Sequence, residues 1–236
     1  MGRFVEAYWA GSWDLRGQPP HTTELLGDPC VHIVFERGQS RVVGVWTRTW
    51  KRTLEDAGVV RGAKIRAGAV GAFFQQPARE LTDRILPLNQ LFDGVHEVER
   101  DILEPRDHRE GVKRLEAWLR DQVRGDSSDE LDVVTTLLAQ IGQDRSIVTV
   151  EDLASRVGIS VRELQRSFQV HVGAPPKWVI RRHRLQDAAL RIERGEDVSL
   201  ARLATELGYS DQAHLSRDFK SAVGSSPRAF ARQVNA

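Results

Sequence analysis

The chain has 236 residues, 40% hydrophobic and 28% charged, with a formal net charge of +1 at pH 7. That is an ordinary globular composition with material for two modest domains. Cys30 is the lone cysteine, which excludes an internal disulfide and a thiolate metal cluster. No stretch approaches the roughly 20 apolar residues of a membrane span, and no signal-peptide pattern opens the chain, so a cytoplasmic protein is expected.

Short apolar runs between glycines come first. Cys30–Phe35, Arg41–Thr47, Val59–Ile65 and Ala69–Phe74 predict strands. Short strands between Gly-rich turns favour an antiparallel barrel or sandwich over a parallel sheet. A helical period follows. Val95, Val98 and Ile102 share one face of a segment that Pro105 stops, and Val112, Leu115, Leu119 and Val123 form a second stripe within Asp107–Arg124. This stripe has two candidate partners, the barrel and a second subunit; with an exposed Trp118 beside it, dimerisation is the favoured expectation. Gly125–Asp129 reads as a linker, and Leu131, Val134, Leu138 and Ile141 open a C-terminal helical domain. The predicted organisation is α+β: a β-rich domain over 1–92, connector helices over 93–125 and an all-α domain over 129–236.

Cap residues punctuate the last part. Thr149 with Asp152 is a capping-box variant opening a helix that Gly158 ends. Ser160 caps a helix to about Val172, and Pro175-Pro176 starts a long helix through about Glu193. Ser199 caps the next, Ser210 or Asp211 the one after, and Pro227 begins a final short helix.

These elements repeat. Val150, Leu153-Ala154, Val157-Gly158 and Ser160 are echoed by Leu200, Leu203-Ala204, Leu207-Gly208 and Ser210, at an offset of 50. Leu164, Arg166, Phe168, Gly173 and Pro176 match Leu215, Arg217, Phe219, Gly224 and Pro227 at an offset of 51. Helix, glycine turn, helix, present twice, is the helix-turn-helix plan and makes DNA the leading partner. Residues 146–236 hold 14 Lys and Arg against 10 Asp and Glu, which suits a polyanion. A second helix of such a unit enters the major groove, where Arg grips guanine and Gln grips adenine. With Leu164 and Phe168 inward, Arg162, Gln165 and Arg166 are candidates to read bases. With Leu215 and Phe219 inward, the second set is Asp211, Gln212, His214, Ser216 and Arg217. The joining helix, about 27 Å long at 1.5 Å per residue, suits two units in successive grooves. Lys177 and Arg182 on it are candidates for phosphate contacts.

From about Leu131 to Val234 the pattern resembles the DNA-binding domain of bacterial AraC/XylS-type transcriptional regulators. The residues that carry the resemblance are Leu153-Ala154, Gly158-x-Ser160, Leu164-x-Arg166-x-Phe168, Gly173-x-x-Pro176, Arg184-Leu185, Gly208-Tyr209 and Leu215-x-Arg217-x-Phe219-Lys220, then Gly224 and Pro227. It implies two helix-turn-helix units bridged by a long helix, with double-stranded DNA and RNA polymerase as partners. The first part, with Thr47–Trp50, Gly62–Gly68 and Glu80–Asp83, is similar to the cupin-type sensing barrels attached to this module. That similarity implies a small-molecule effector inside the barrel and dimer contacts on the helices between about Gly94 and Arg124, hence a homodimer. Trp9, Trp13, Trp46, Trp50 and Phe73 are candidates to line the pocket, with Arg66 or His32 orienting an anionic ligand. An enzyme is the competing class. No His-x-His pair, G-x-S-x-G or P-loop occurs, so neither a catalytic residue, a metal nor a cofactor is expected.

Overall fold

Alternation organises the N-terminal part. Its strands are β1 (Val5–Asp14), β2 (His21–Leu25), β3 (Val31–Glu36), β4 (Arg41–Val43), β5 (Trp50–Leu54), β6 (Ala57–Ile65) and β7 (Ile85–Pro87). The computed structural model describes residues 1–25, 27–124, 128–195 and 199–234. Five strands form an antiparallel sheet in the order β1-β6-β3-β4-β7, and β2 pairs with β5 in a second sheet. Side chains alternate across a strand, so β6 turns Gly58, Val60, Gly62 and Lys64 to one face and Arg61, Ala63 and Ile65 to the other.

The first face is built on glycine. Register sets Trp9 opposite Gly62 and Trp13 opposite Gly58. Each indole lies across its glycine so closely that an added Cβ would stand 2.3 Å from Trp9 and 2.2 Å from Trp13. Val34, Val43 and Val60 form the floor beneath Trp9, Trp13 and Trp46.

The second face is covered by α2 (Val95–Leu103) and α3 (His108–Gln122). Arg61 is fully buried there and donates to the carbonyls of Ile102 and Pro105, where α2 gives way to the turn. Gly111 of α3 passes over its guanidinium with no room for a Cβ. Two expectations are corrected here. Trp118 is half-buried, edge-on to Phe35 at 5.1 Å and Phe92 at 5.2 Å, and Leu115 and Leu119 are fully buried. Leu115 and Leu119 of the stripe are therefore committed to the chain's own sheet. Residues 69–74 are not a strand: Val70–Phe73 is a helical turn, α1, closed by a bond from Phe74 N to Val70 O. Phe73 packs edge-on to Phe4 at 6.1 Å, outside the sheet.

Beyond Arg124 the described elements are all helices. Residues 125–127 of the expected linker lie outside the described residues, and Ser128 already belongs to α4 (Ser128–Gln143). Then come α5 (Val150–Val157), α6 (Val161–Ser167), a π-helical turn (Phe168–Val172), α7 (Pro176–Glu193), α8 (Leu200–Glu206), α9 (Gln212–Val223) and α10 (Pro227–Val234). By internal contacts the chain divides into Met1–Thr135 with Ser167–Ala174, and Thr136–Arg166 with Pro175–Ala236. Thr82 Oγ1 donates to the Gly173 carbonyl at 2.6 Å within the first of these units.

The helical repeat is written in its caps. Thr149 and Asp152 form a reciprocal capping box, as do Ser160 and Glu163. In the second copy Ser199 accepts from Arg202 N at 3.2 Å and Asp211 from His214 N at 2.7 Å. Gly158 and Gly208 turn the chain at φ +71° and +69°, and Gly173 and Gly224 end the following helices at +82° and +81°. Leu153, Ala154, Leu164 and Phe168 are buried in the first copy, and Leu203, Ala204, Leu215 and Phe219 in the second. The second set closes over Leu185 and Ala188 of α7.

Gly62→Ala is expected to push the Trp9 indole off the sheet and cost about 1–3 kcal/mol, as overpacking does; an unchanged urea midpoint would show that the ring simply moves aside. The caps predict a specific acid response. Hydrogen bonds from Thr149, first its side chain and then its backbone, hold the Asp152 carboxyl below the ordinary range. Its stabilising share is complete above the unfolded value of about 4 and is lost as pH falls through the depressed folded one. Asp152→Asn, which keeps an acceptor but cannot titrate, should flatten the decline in melting temperature as pH falls below the unfolded carboxyl value of about 4.

Candidate nucleic-acid interface and small-molecule cavity

Burial sorts the polar residues of the two units. Arg162, Gln165 and Arg166 are exposed on α6, while Leu164 between them is fully buried. On α9, His214 and Arg217 are exposed and Gln212 and Ser216 are half-buried. Arg217 Nε donates to the Ala213 carbonyl at 3.3 Å, which leans its stem along the helix. His214 stands edge-on to Tyr209 at 5.1 Å, and its Nδ1 is 3.1 Å from Ser210 Oγ. Asp211 spends a carboxylate oxygen on its own helix as N-cap, and that backbone bond from His214 is the main reason its pKa is lowered.

The joining helix divides its cations. Lys177 is exposed. Arg182, expected to reach a phosphate, is only 8% exposed and is corrected to a buried residue. It falls three positions after Val179 and three before Leu185, both buried, so it shares their inward face. Arg181 is exposed but pairs with Asp218 of α9 at 2.7 Å, tying the two helices together.

In the N-terminal part a cavity of about 460 Å³ is lined from both sheets. Trp9, Trp13, Trp46, Trp50 and His32 line it, as the sequence suggested. Phe73 and Arg66 do not, and both are corrected. Phe73 is core on α1, 1% exposed. Arg66 lies beyond the end of β6 and donates to the Gly2 carbonyl at 3.2 Å.

The cationic side chains at the cavity are instead Arg41 and Arg52. Both grip a single oxygen of Glu36, Oε2, at 2.8 and 2.6 Å, and all three side chains are nearly buried, 12–16% exposed. Arg52 also lies over the Trp13 ring at 5.2 Å, a cation–π distance. Burial lowers the Arg52 pKa, Glu36 opposes that shift, and Arg41 adds to it. Sequence reading missed this pair because the β5 strand was not recognised, although Trp50-Lys-Arg52-Thr-Leu54 alternates as a half-buried strand should.

At the other end Asp28 accepts from Lys64 at 2.6 Å, and Lys64 also reaches the more exposed Glu6 at 2.8 Å. Burial pushes the His32 imidazole below its ordinary value and the Cys30 thiol well above its own. Both are therefore neutral at pH 7. Among the described residues the indole N–H groups of Trp9 and Trp46 are buried with no partner, whereas that of Trp13 donates to the Glu55 carbonyl at 2.9 Å. Among the described residues no group of three or more His, Cys, Asp and Glu side chains could hold a metal ion. No helix among them is long and apolar enough to cross a membrane.

Comparison with known proteins bears on each part. Residues 153–233 match a family described as a helix-turn-helix domain, and residues 1–87 match a domain family of unknown function. A helix-turn-helix-type transcriptional regulator of Haemophilus influenzae is 32% identical over 101 residues, 43% of this chain and 34% of that protein. The transcriptional activator RhaS of Pectobacterium carotovorum is 28% identical over 126 residues, 53% of this chain and 37% of that protein. The alignments thus span little more than a third of these relatives' own length. A solved regulator with an AraC-type DNA-binding domain, from Chromobacterium violaceum, is 25% identical, covering 43% of this chain and 87% of that one with a TM-score of 0.36. Two capped helix pairs, the repeated Leu-x-Arg-x-Phe pattern and the family match lead to one conclusion: residues 153–233 form a helix-turn-helix domain, similar in sequence to those of transcriptional regulators.

Proposed function

We propose that the protein is a sequence-specific transcriptional regulator of AraC/XylS type, in which a cupin-like barrel formed by the two N-terminal sheets senses a small molecule. The observation that carries the DNA half is the equivalence of Arg166 and Arg217. Each sits between a buried Leu and a buried Phe on the second helix of its unit, and each is exposed. Buried flanks fix the helix while the arginine is left to solvent, which suits a side chain meant to meet a base edge.

In this reading α6 and α9 enter successive major grooves, with α7 as the bridging rod; α7 touches both α5 and α9. Arg162, Gln165 and Arg166 read one stretch, and Gln212, His214, Ser216 and Arg217 the other. Asp211 serves chiefly by holding the start of α9. Lys177 supplies a phosphate contact. Two chains on paired half-sites, contact with RNA polymerase and action in the cytoplasm, where DNA is, complete the proposal. The relatives carry names of regulators and none of enzymes, which supports the same class.

The sensing half rests on the cavity, whose size and mostly apolar walls suit one organic molecule. Occupancy alters DNA affinity only if the ligand prefers one arrangement of the chain over another.

Competition between genomic operator fragments and random duplex at fixed salt tests the central claim; equal affinity for both would reject sequence-specific reading. Arg166→Ala and Arg217→Ala should each cost about 1–3 kcal/mol of binding and relax the preference at one base position. Lys177→Ala should weaken all sequences alike and lower the salt slope by about one. Unchanged preference in both arginine variants would remove them from the reading set.

A further inference from the structure

The geometry points to a planar aromatic carboxylate, or an equivalent aromatic monoanion, as the class of molecule that the N-terminal cavity takes, with its acid group set against Arg41 and Arg52 and its ring among the tryptophans. This inference rests on the sensing reading above and narrows it.

Charge comes first. Arg41, Arg52 and Glu36 form a nearly buried cluster of two cations and one anion, and among the described residues no second carboxylate pairs with either arginine. Both arginines, but not Glu36, line the cavity. A desolvated excess charge is costly unless a partner meets it. Two guanidiniums that already share one carboxylate oxygen keep further N–H donors for a second carboxylate. The opposite end does not ask for a cation with the same force. There Lys64 takes up the charge of Asp28, and the surplus falls on Glu6, whose side chain is 40% exposed. His32 beside it is neutral.

Shape comes second. Trp9 and Trp13 are laid flat by Gly62 and Gly58, which makes a planar wall, and Trp46 and Trp50 add to it. Flat apolar walls select rings, which stack and bury more area than chains of equal size. A sugar would leave most of its hydroxyls unpaired against this wall, and an organic cation would be repelled by the arginines.

The test uses the full chain and four probes matched in size: 2-naphthoate, 2-naphthamide, 2-naphthylmethylamine and the saturated acid decahydro-2-naphthoate. Binding is followed by tryptophan fluorescence and by calorimetry. Naphthoate is expected to bind roughly tenfold or more tighter than the amide, the gap that one charge-assisted hydrogen-bond pair produces. The amine and the non-aromatic acid should be the weakest. Arg41→Gln and Arg52→Gln should erase the preference of acid over amide, and Trp9→Phe should weaken the acid several-fold while keeping a ring in place.

Equal or better binding of the amide or amine by the unaltered protein overturns the inference, whatever the variants do. A cavity that prefers decahydro-2-naphthoate overturns the aromatic part. Operator affinity measured with and without naphthoate separates the two claims. Tight acid binding with no change in operator affinity would leave the ligand class standing and remove the sensing role. Operator affinity that responds to the amide or amine but not to the acid would keep the sensing role and reject the ligand class.

Discussion

Strand β6 has to satisfy two incompatible environments, and the N-terminal fold follows from how it does so. On one face Gly58 and Gly62 leave space for two indoles; on the next residue over, Arg61 is buried with its guanidinium against the carbonyls of Ile102 and Pro105. A slip of one residue would drive Arg61 into the tryptophan wall and bring the glycines under α3, because side chains alternate with a period of two. A buried guanidinium without its acceptors is far more costly than a shifted loop, so the end of α2 is pinned where those carbonyls are needed. Gly111 completes the arrangement by letting α3 pass directly over the charge. Cavity wall and helical cover are thus two consequences of one register.

The helical part is organised differently. Its geometry is local: four side-chain caps and four positive-φ glycines define where each helix of the two pairs begins and ends. Once the ends are set, the period of the helix decides which residues go inward. Leu164 and Phe168, and their counterparts Leu215 and Phe219, are buried for that reason, and the arginines between them are exposed for the same reason. The proposed reading surface is a by-product of packing that would occur with or without DNA.

Polar chemistry in the N-terminal part is concentrated where strands from the two sheets converge. Glu36 from β3, Arg41 from β4 and Arg52 from β5 meet although 16 residues separate the first from the last. Such a cluster joins the sheets and sets two arginines against one carboxylate beside the cavity. It unites a structural duty with a selective one, which is why replacing it with apolar residues would be expected to change what the cavity accepts as well as how the sheets hold together.

Much of this was legible in the residues themselves. Helix boundaries in the C-terminal part follow from Thr149, Ser160, Ser199, Gly158, Gly208, Pro176 and Pro227, since capping and turn chemistry act over three or four positions and need no tertiary information. The repeat made the two units recognisable, and the exposed arginines followed from helical period. What only the tertiary structure decided depends on partners distant in sequence. Arg182 sits among buried residues of α7, Trp118 packs on Phe35 and Phe92, and Phe73 is core while Arg52 is not at the surface. A side chain's own type and spacing cannot state which strand lies opposite it. The register that sets Trp9 over Gly62, and brings Arg41 and Arg52 to one oxygen of Glu36, exists only once the sheet is assembled, because cross-strand neighbours are chosen by the packing of the whole sheet.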